Sequence, residues 1–197
     1  MNPSTVDPAP GATESRRWPA LAVLLAGTLL PPLDFFIVNV TLPGIRSDLH
    51  APADVAQLVV SVYAVAYAAT LVLGGRLGDI HGRRRVFVAG MLGFGLASAI
   101  CGFATSAGML VLGRLLQGVS AAVIAPQALA SIHALFPASE KGRALGLYGA
   151  TFGIASVGGQ LLGGLLVSAD LLGLGWRSVF LVNLPVIAVA VPAALAL

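Results

Sequence analysis

Six stretches of mostly apolar residues, roughly 18–40, 55–77, 86–103, 108–130, 145–167 and 179–197, constrain this chain more than any other feature. A helix needs about 20 such residues to cross a hydrocarbon core of about 30 Å. Lipid offers the backbone no hydrogen-bond partner, so each stretch must satisfy its own amides as a helix. The expected fold is an all-α membrane protein of six transmembrane helices, with residues 18–197 forming one bundle. Residues 1–17, rich in Pro, Ser and Thr, read as a disordered tail. The first apolar stretch is too long for a signal peptide and further spans follow it, so it reads as a retained helix.

Composition narrows the function. Only 10% of residues are charged and 57% are hydrophobic, whereas a soluble domain carries about 25% charged residues. The basic residues lie in short connections, with no basic helix or aromatic platform, so nucleic acid is not an expected partner. Cys101 is the single cysteine, which excludes a disulfide framework and reads as packing; no metal site and no cofactor are expected. No phosphate-cradling Gly-x-x-x-x-Gly-Lys-Ser/Thr is present, so ATP is not the expected energy source. Gly118-Val119-Ser120-Ala121 approaches the Gly-x-Ser-Gly of intramembrane proteases but lacks the second glycine. None of His50, His81 and His133 lies in the sixth stretch to serve as its base, so no enzyme is expected.

Loop lysines and arginines are retained in the cytoplasm. With the N-terminus inside, Arg16, Arg17, Arg76, Arg83, Arg84, Arg85, Lys141 and Arg143 fall on the cytoplasmic side, and Arg46 and Arg177 outside. Both termini are then cytoplasmic. The chain is still apolar at Leu197, which suggests one half of a longer transporter or a truncated chain.

Two charges interrupt the apolar stretches, Asp34 in the first and Arg114 in the fourth. An ionised side chain at the bilayer centre costs at least about 2.5–3.5 kcal/mol and usually marks function. Counted from helix ends near the outer surface, both lie about 10 Å deep, which permits pairing or a shared polar cavity. A static ion pair is one reading; a proton or substrate site is the other. Gln117 follows Arg114 by three positions and shares its face, and Gly118, Ala121, Ala122 and Ala125 continue a small-residue stripe. Asn39 and Gln160 either line a path or bond one helix to another.

The run Gly75-Arg76-Leu77-Gly78-Asp79-Ile80-His81-Gly82-Arg83-Arg84-Arg85 resembles the loop signature of the major facilitator superfamily, G-x-L-[AG]-D-x-x-G-R-[RK], between the second and third helices. Leu33-Asp34 through Pro43 is similar to the L-D-x-T-I-V-N-V-A-L-P signature of its 14-helix drug:proton antiporter branch, with Phe36 and Thr41 departing from it. Arg114-Leu115-Leu116-Gln117-Gly118 resembles the R-x-x-Q-G element of the fourth helix. Trp176-Arg177-Ser178-Val179-Phe180-Leu181-Val182-Asn183-Leu184-Pro185 resembles the W-R-W-x-F-x-x-N-x-P entry to the sixth. In the fifth stretch Gly159-Gln160-Leu161-Leu162-Gly163-Gly164 has Gln160 where antiporters of this branch carry Pro, which removes a kink and leaves the direction of transport open. Gly149 with Gly153, and Gly159 with Gly163, are each four apart and are expected, with Gly164, to form a flat packing face.

The resemblance implies the N-terminal half of a transporter whose two halves rock around a central site. It implies proton-coupled efflux of hydrophobic drug-like compounds in a bacterial plasma membrane, driven by the proton gradient. Asp34 would carry the proton and meet the substrate, Arg114 would couple, and Gln117 would line the path. Gly75, Asp79, Gly82, Arg83 and Arg84 would form the gating loop. The implied partners are protons, a small hydrophobic substrate, the lipid bilayer, and a missing C-terminal half or a second chain. The alternative is a membrane subunit or fragment with a structural or regulatory role and no transport of its own.

Overall fold

A computed structural model describes residues 10–196. Helix α1 runs Pro10–Asp48, α2 Ala53–His81, α3 Arg83–Gly102, α4 Ala107–Leu135 and α5 Ala138–Ala169. Two 3-10 turns, Leu171–Gly173 and Gly175–Arg177, lead into α6, Ser178–Leu181, and α7, Asn183–Ala196. The last two helices together make a sixth span, so six helices among the described residues are long and apolar enough to cross a membrane.

The helix ends depart from the sequence reading. Residues 1–9 of the expected tail lie outside the described residues, and from Pro10 the chain is already helical. At its other end α1 continues past Pro43 and Gly44 to Asp48, although four prolines lie within it. A proline deletes one helical N–H, and a helix enclosed by neighbours tolerates that loss better than it tolerates an open coil in lipid. The expected gating loop is likewise mostly helix: Gly75 and Asp79 lie in the last turns of α2. Gly82 alone separates α2 from α3, at φ 88°, a left-handed conformation that costs glycine little. Its N–H donates to Gly78 O at 3.0 Å, and its carbonyl accepts from Val86 N–H at 3.1 Å. Thus one residue both ends α2 and starts α3.

Helix α4 is the centre of the bundle, with its broadest faces against α2 and α3, while α1 lies along α5. The α2–α4 contact depends on missing side chains. A Cβ on Gly74 would collide with the carbonyl of Ala122, and one on Gly118 would lie 2.5 Å from the carbonyl oxygen of Tyr63. Gly118, Ala121 and Ala122 of the expected small-residue stripe are all buried there. On the outside, Val65, Val72, Leu165 and Val189 are mostly exposed, an apolar surface suited to lipid.

The glycines of α5 do not form the single face expected of them. Gly159 and Gly163 do meet α1: a Cβ on Gly159 would sit 2.9 Å from Leu33 O, and one on Gly163 would sit 2.9 Å from the Ile37 side chain. A Cβ added to Gly149, Gly153 or Gly164 would have nothing within 4 Å. The reason is periodicity. Gly153 to Gly159 is six residues, about 600° of helix, which turns the second pair about 120° from the first.

Candidate functional site

The two charges in the apolar stretches meet at the centre of the bundle. Asp34 and Arg114 are both fully buried, and Arg114 Nη1 donates to Asp34 Oδ2. The expected match in depth was counted from a first helix that ends well short of Asp48; α1 runs on to Asp48, and the pair still closes. Four helices then supply polar partners. From α4, Gln117 Nε2 donates to Asp34 Oδ1 at 3.0 Å and to Ser98 Oγ of α3 at 2.8 Å. Its Oε1 accepts from Arg114 Nη1 at 2.8 Å and from the Cys101 thiol at 3.4 Å. All four hydrogen-bonding positions of that amide are therefore used. From α7, Asn183 Nδ2 donates to Asp34 Oδ1 at 2.9 Å and to Ser98 Oγ at 3.2 Å.

Arg114 is held on two further sides. Its Nε donates to the Val59 carbonyl of α2 at 2.9 Å. Its guanidinium carbon lies 4.3 Å from the centre of the Tyr63 ring and 5.9 Å from that of Phe180. A cation over an aromatic face in a desolvated site is worth about 2 kcal/mol. Within this network, Arg114 Nη2 and Asn183 Oδ1 have no hydrogen-bond partner among the described residues.

Beside this network lies an apolar cleft of about 260 Å³. Phe35, Phe36, Tyr63, Tyr67, Tyr148 and Phe152 line it, with Thr28, Pro31, Pro32, Ala64 and Ala125 between them. No charged residue is on that surface. Asp34, Arg114 and Gln117 are not among the residues that line it and lie behind its wall; of pairing and a shared polar cavity, the structure shows the pair. Asn39 and Gln160 are also elsewhere: Asn39 bonds back to the carbonyls of Phe35 and Phe36, and Gln160 is exposed.

Sequence reading did not single out Asn183, Ser98 or Tyr63 for this site. Asn183 did carry a signal, being an amide inside the sixth apolar stretch. Ser98 and Tyr63 carried none, because a hydroxyl or a phenol is common in membrane helices and identifies nothing until its neighbours are known. Cys101, read as packing, is indeed buried, and its thiol also touches Gln117.

At the Gly82 end, the arginines bind helix carbonyls. Arg83 Nη1 donates to Ala130 O at 2.7 Å, and Arg84 Nη2 donates to Leu195 O, near the C-terminal ends of α4 and α7. Asp79 lies 3.8 Å from Arg83 and is 73% exposed, so most of the carboxylate faces away from the bundle. Gly75 sits against Pro126 of α4.

At the opposite end, Asp48 accepts from the Trp176 indole N–H at 3.0 Å and from Arg177 Nη1. Arg177 Nη2 also donates to Ala104 O at 3.1 Å. This latch ties α1, the α3–α4 turn and the entry to the sixth span. Asp48→Asn is expected to lower stability by about 1 kcal/mol, since the pair is part-exposed and screened. Thermal unfolding in detergent at low and high salt would register it, with the difference shrinking in high salt.

Residues 24–197 match the family model of the Major Facilitator Superfamily. This chain belongs to that superfamily. The "Probable actinorhodin transporter" of Streptomyces coelicolor is 46% identical, over 93% of this chain and 32% of that protein. "Puromycin resistance protein pur8" of Streptomyces alboniger is 47% identical, over 88% and 34% respectively. The "Tetracenomycin C resistance and export protein" of Streptomyces glaucescens is 36% identical, over 91% and 32%. Among solved structures, the proton:xylose symporter XylE superposes with a TM-score of 0.79 at 16% identity, over 94% of this chain and 45% of that one. That likeness concerns the fold. The chain spans about a third of the length of the curated relatives it matches. It is a multi-pass membrane protein with the six-helix architecture of an N-terminal half of the superfamily fold, and its relatives are transporters.

Proposed function

We propose that this chain is the N-terminal half of a proton-driven exporter of hydrophobic, antibiotic-like compounds. It would reside in a bacterial plasma membrane with both termini cytoplasmic. The observation that carries the proposal is a buried carboxylate, Asp34, paired with Arg114 directly behind an uncharged aromatic cleft. The names of three relatives, for transport, resistance or export, support the substrate class and the outward direction.

The chemistry follows from what one proton does here. Ionised Asp34 accepts three hydrogen bonds, one from each of Arg114, Gln117 and Asn183, which draws α1, α4 and α7 together. Protonation cancels the attraction to Arg114 and turns one acceptor oxygen into a donor. The helices lose the charge that held them together, and Arg114 must find other acceptors. Loss of the proton restores the closed network. A carboxylate that cycles in this way, open to one side and then the other, couples a proton to rocking of the halves. Asp79, exposed at the Gly82 end, would meet the second half, with Arg83 and Arg84 fixing its position as a gate.

Energised cells producing the full-length transporter that contains this chain provide the test. They should accumulate less of a hydrophobic fluorescent compound than control cells, and a protonophore should remove the difference. Residues 1–197 alone should leave accumulation unchanged. Efflux that survives the protonophore would overturn proton coupling.

A further inference from the structure

We infer that Tyr63 is the positioning residue through which the aromatic cleft and the buried Asp34 sense each other. The inference rests on the proposed transport cycle and assigns its internal link. Tyr63 lines the cleft and, on the same side chain, carries the Arg114 guanidinium over its ring.

Three contacts fix it. The hydroxyl donates to Pro31 O at 2.9 Å, joining α2 to α1 one helical turn before Asp34. The ring has Arg114 at 4.3 Å and Phe35, another cleft residue, at 5.8 Å with a 35° tilt. The backbone carbonyl packs against Gly118 of α4, so closely that a Cβ there would lie 2.5 Å from it. The ring is therefore tied both to Arg114 and to the Pro31 segment. Displacing it from the cleft side shifts either the Arg114 charge or the Pro31 segment that leads to Asp34.

The charged and titratable groups around it settle the sign. Asp34 of α1, Arg114 of α4 and the Tyr67 phenol of α2 act on Tyr63, and the Cys101 thiol of α3 is the further ionisable group near Asp34 and Arg114. While Asp34 is ionised, it compensates most of the Arg114 charge. Once Asp34 is neutral, the ring is the guanidinium's nearest electron-rich neighbour and is drawn toward it, away from Phe35 and the cleft wall. Protonation thus loosens the surface that a planar ligand would stack on. By reciprocity, the bound ligand and the proton oppose each other. Mutual exclusion of this kind is what exchange of a proton for a ligand requires.

The experiment uses the purified full-length transporter and an uncharged planar fluorophore, 1,4-dihydroxyanthraquinone, titrated between about pH 5 and pH 8. In the wild type, Kd should rise about tenfold on acidification, a usual scale for coupled sites. Asp34→Asn should flatten that dependence. Tyr63→Phe keeps the ring over Arg114 but loses the Pro31 bond, and should retain a weaker dependence, still above about twofold. Tyr63→Leu should still bind the fluorophore but show less than about a twofold change. Pentafluorophenylalanine at position 63 preserves ring shape while removing its negative face, and should behave like Tyr63→Leu even if the latter folds poorly. A full pH dependence with the fluorinated ring overturns the role of Tyr63 and leaves the transport reading standing. Absent wild-type binding, or a pH dependence that Asp34→Asn does not alter, overturns the transport reading and this inference with it.

Discussion

Asp34→Asn is expected to abolish proton-coupled efflux by the full-length transporter and also to destabilise it by about 3–5 kcal/mol, the usual cost of removing one partner from a buried ion pair. Asp34 as the proton carrier, read from the sequence, accounts only for the loss of transport. The geometry says more. All three groups facing the carboxylate are donors: Arg114 at Oδ2, and Gln117 and Asn183 at Oδ1. An asparagine offers one oxygen and turns an N–H toward the other side, so a donor meets a donor in either orientation. Arg114 is left buried with its Val59 carbonyl, its Gln117 oxygen and the Tyr63 ring, but no counter-charge.

The double variant Asp34→Asn/Arg114→Gln separates the static reading of this pair from the functional one. Most of the cost of breaking a buried pair comes from the charge left uncompensated, and Arg114→Gln removes that charge. Thermal stability should therefore recover most of the loss seen in Asp34→Asn. Transport should not recover, because no titratable carboxylate remains. If transport returned along with stability, the pair would be structural packing and the proton site would lie elsewhere.

The number of spans was legible because about 20 apolar residues in succession admit few other conformations. Helix ends were not. Pro43 and Gly44 lie beyond the first apolar stretch, yet α1 includes both, because local propensity yields when backbone amides must be satisfied within the helix. Asp34 and Arg114 were legible for the same reason as the spans: a charge in lipid is costly enough to require an explanation. Gln117 was reached by its helical offset from Arg114. Asn183, Ser98 and Tyr63 cost little to bury singly, and only the packing of α2, α3 and α7 around α4 brings them to the ion pair. The aromatic cleft was hidden for a related reason. Phe35, Tyr67 and Tyr148 come from three helices and share no periodic pattern in the sequence.

The second large effect concerns two glycines that carry the α2–α4 contact: Gly118, part of the small-residue stripe read from the sequence, and Gly74, which that reading passed over. Gly118→Val would drive its Cβ to 2.5 Å from the Tyr63 carbonyl and 2.9 Å from the Ala66 Cβ, with two more carbons behind it. Gly74→Val would press on the Ala122 carbonyl and on the α-carbon of Val123. Both obstacles are largely backbone, so no rotamer change relieves them and the helices must separate. Overpacking a core costs about 1–3 kcal/mol where side chains can yield; here the cost should reach or exceed the upper end. Separation at Gly118 would also pull Tyr63 from Arg114 and Val59 from its Nε donor, adding lost hydrogen bonding to lost packing. The expected result is poor yield of folded protein and a broad, early thermal transition for each variant. Gly149→Val is the matched control on α5, since a Cβ there has nothing within 4 Å, and its yield and unfolding temperature should stay close to wild type. Equal tolerance of Gly118→Val and Gly149→Val would mean that α2 and α4 do not approach as closely as described. The route from Tyr63 to Asp34 would then lose the clamp that keeps the ring from moving freely.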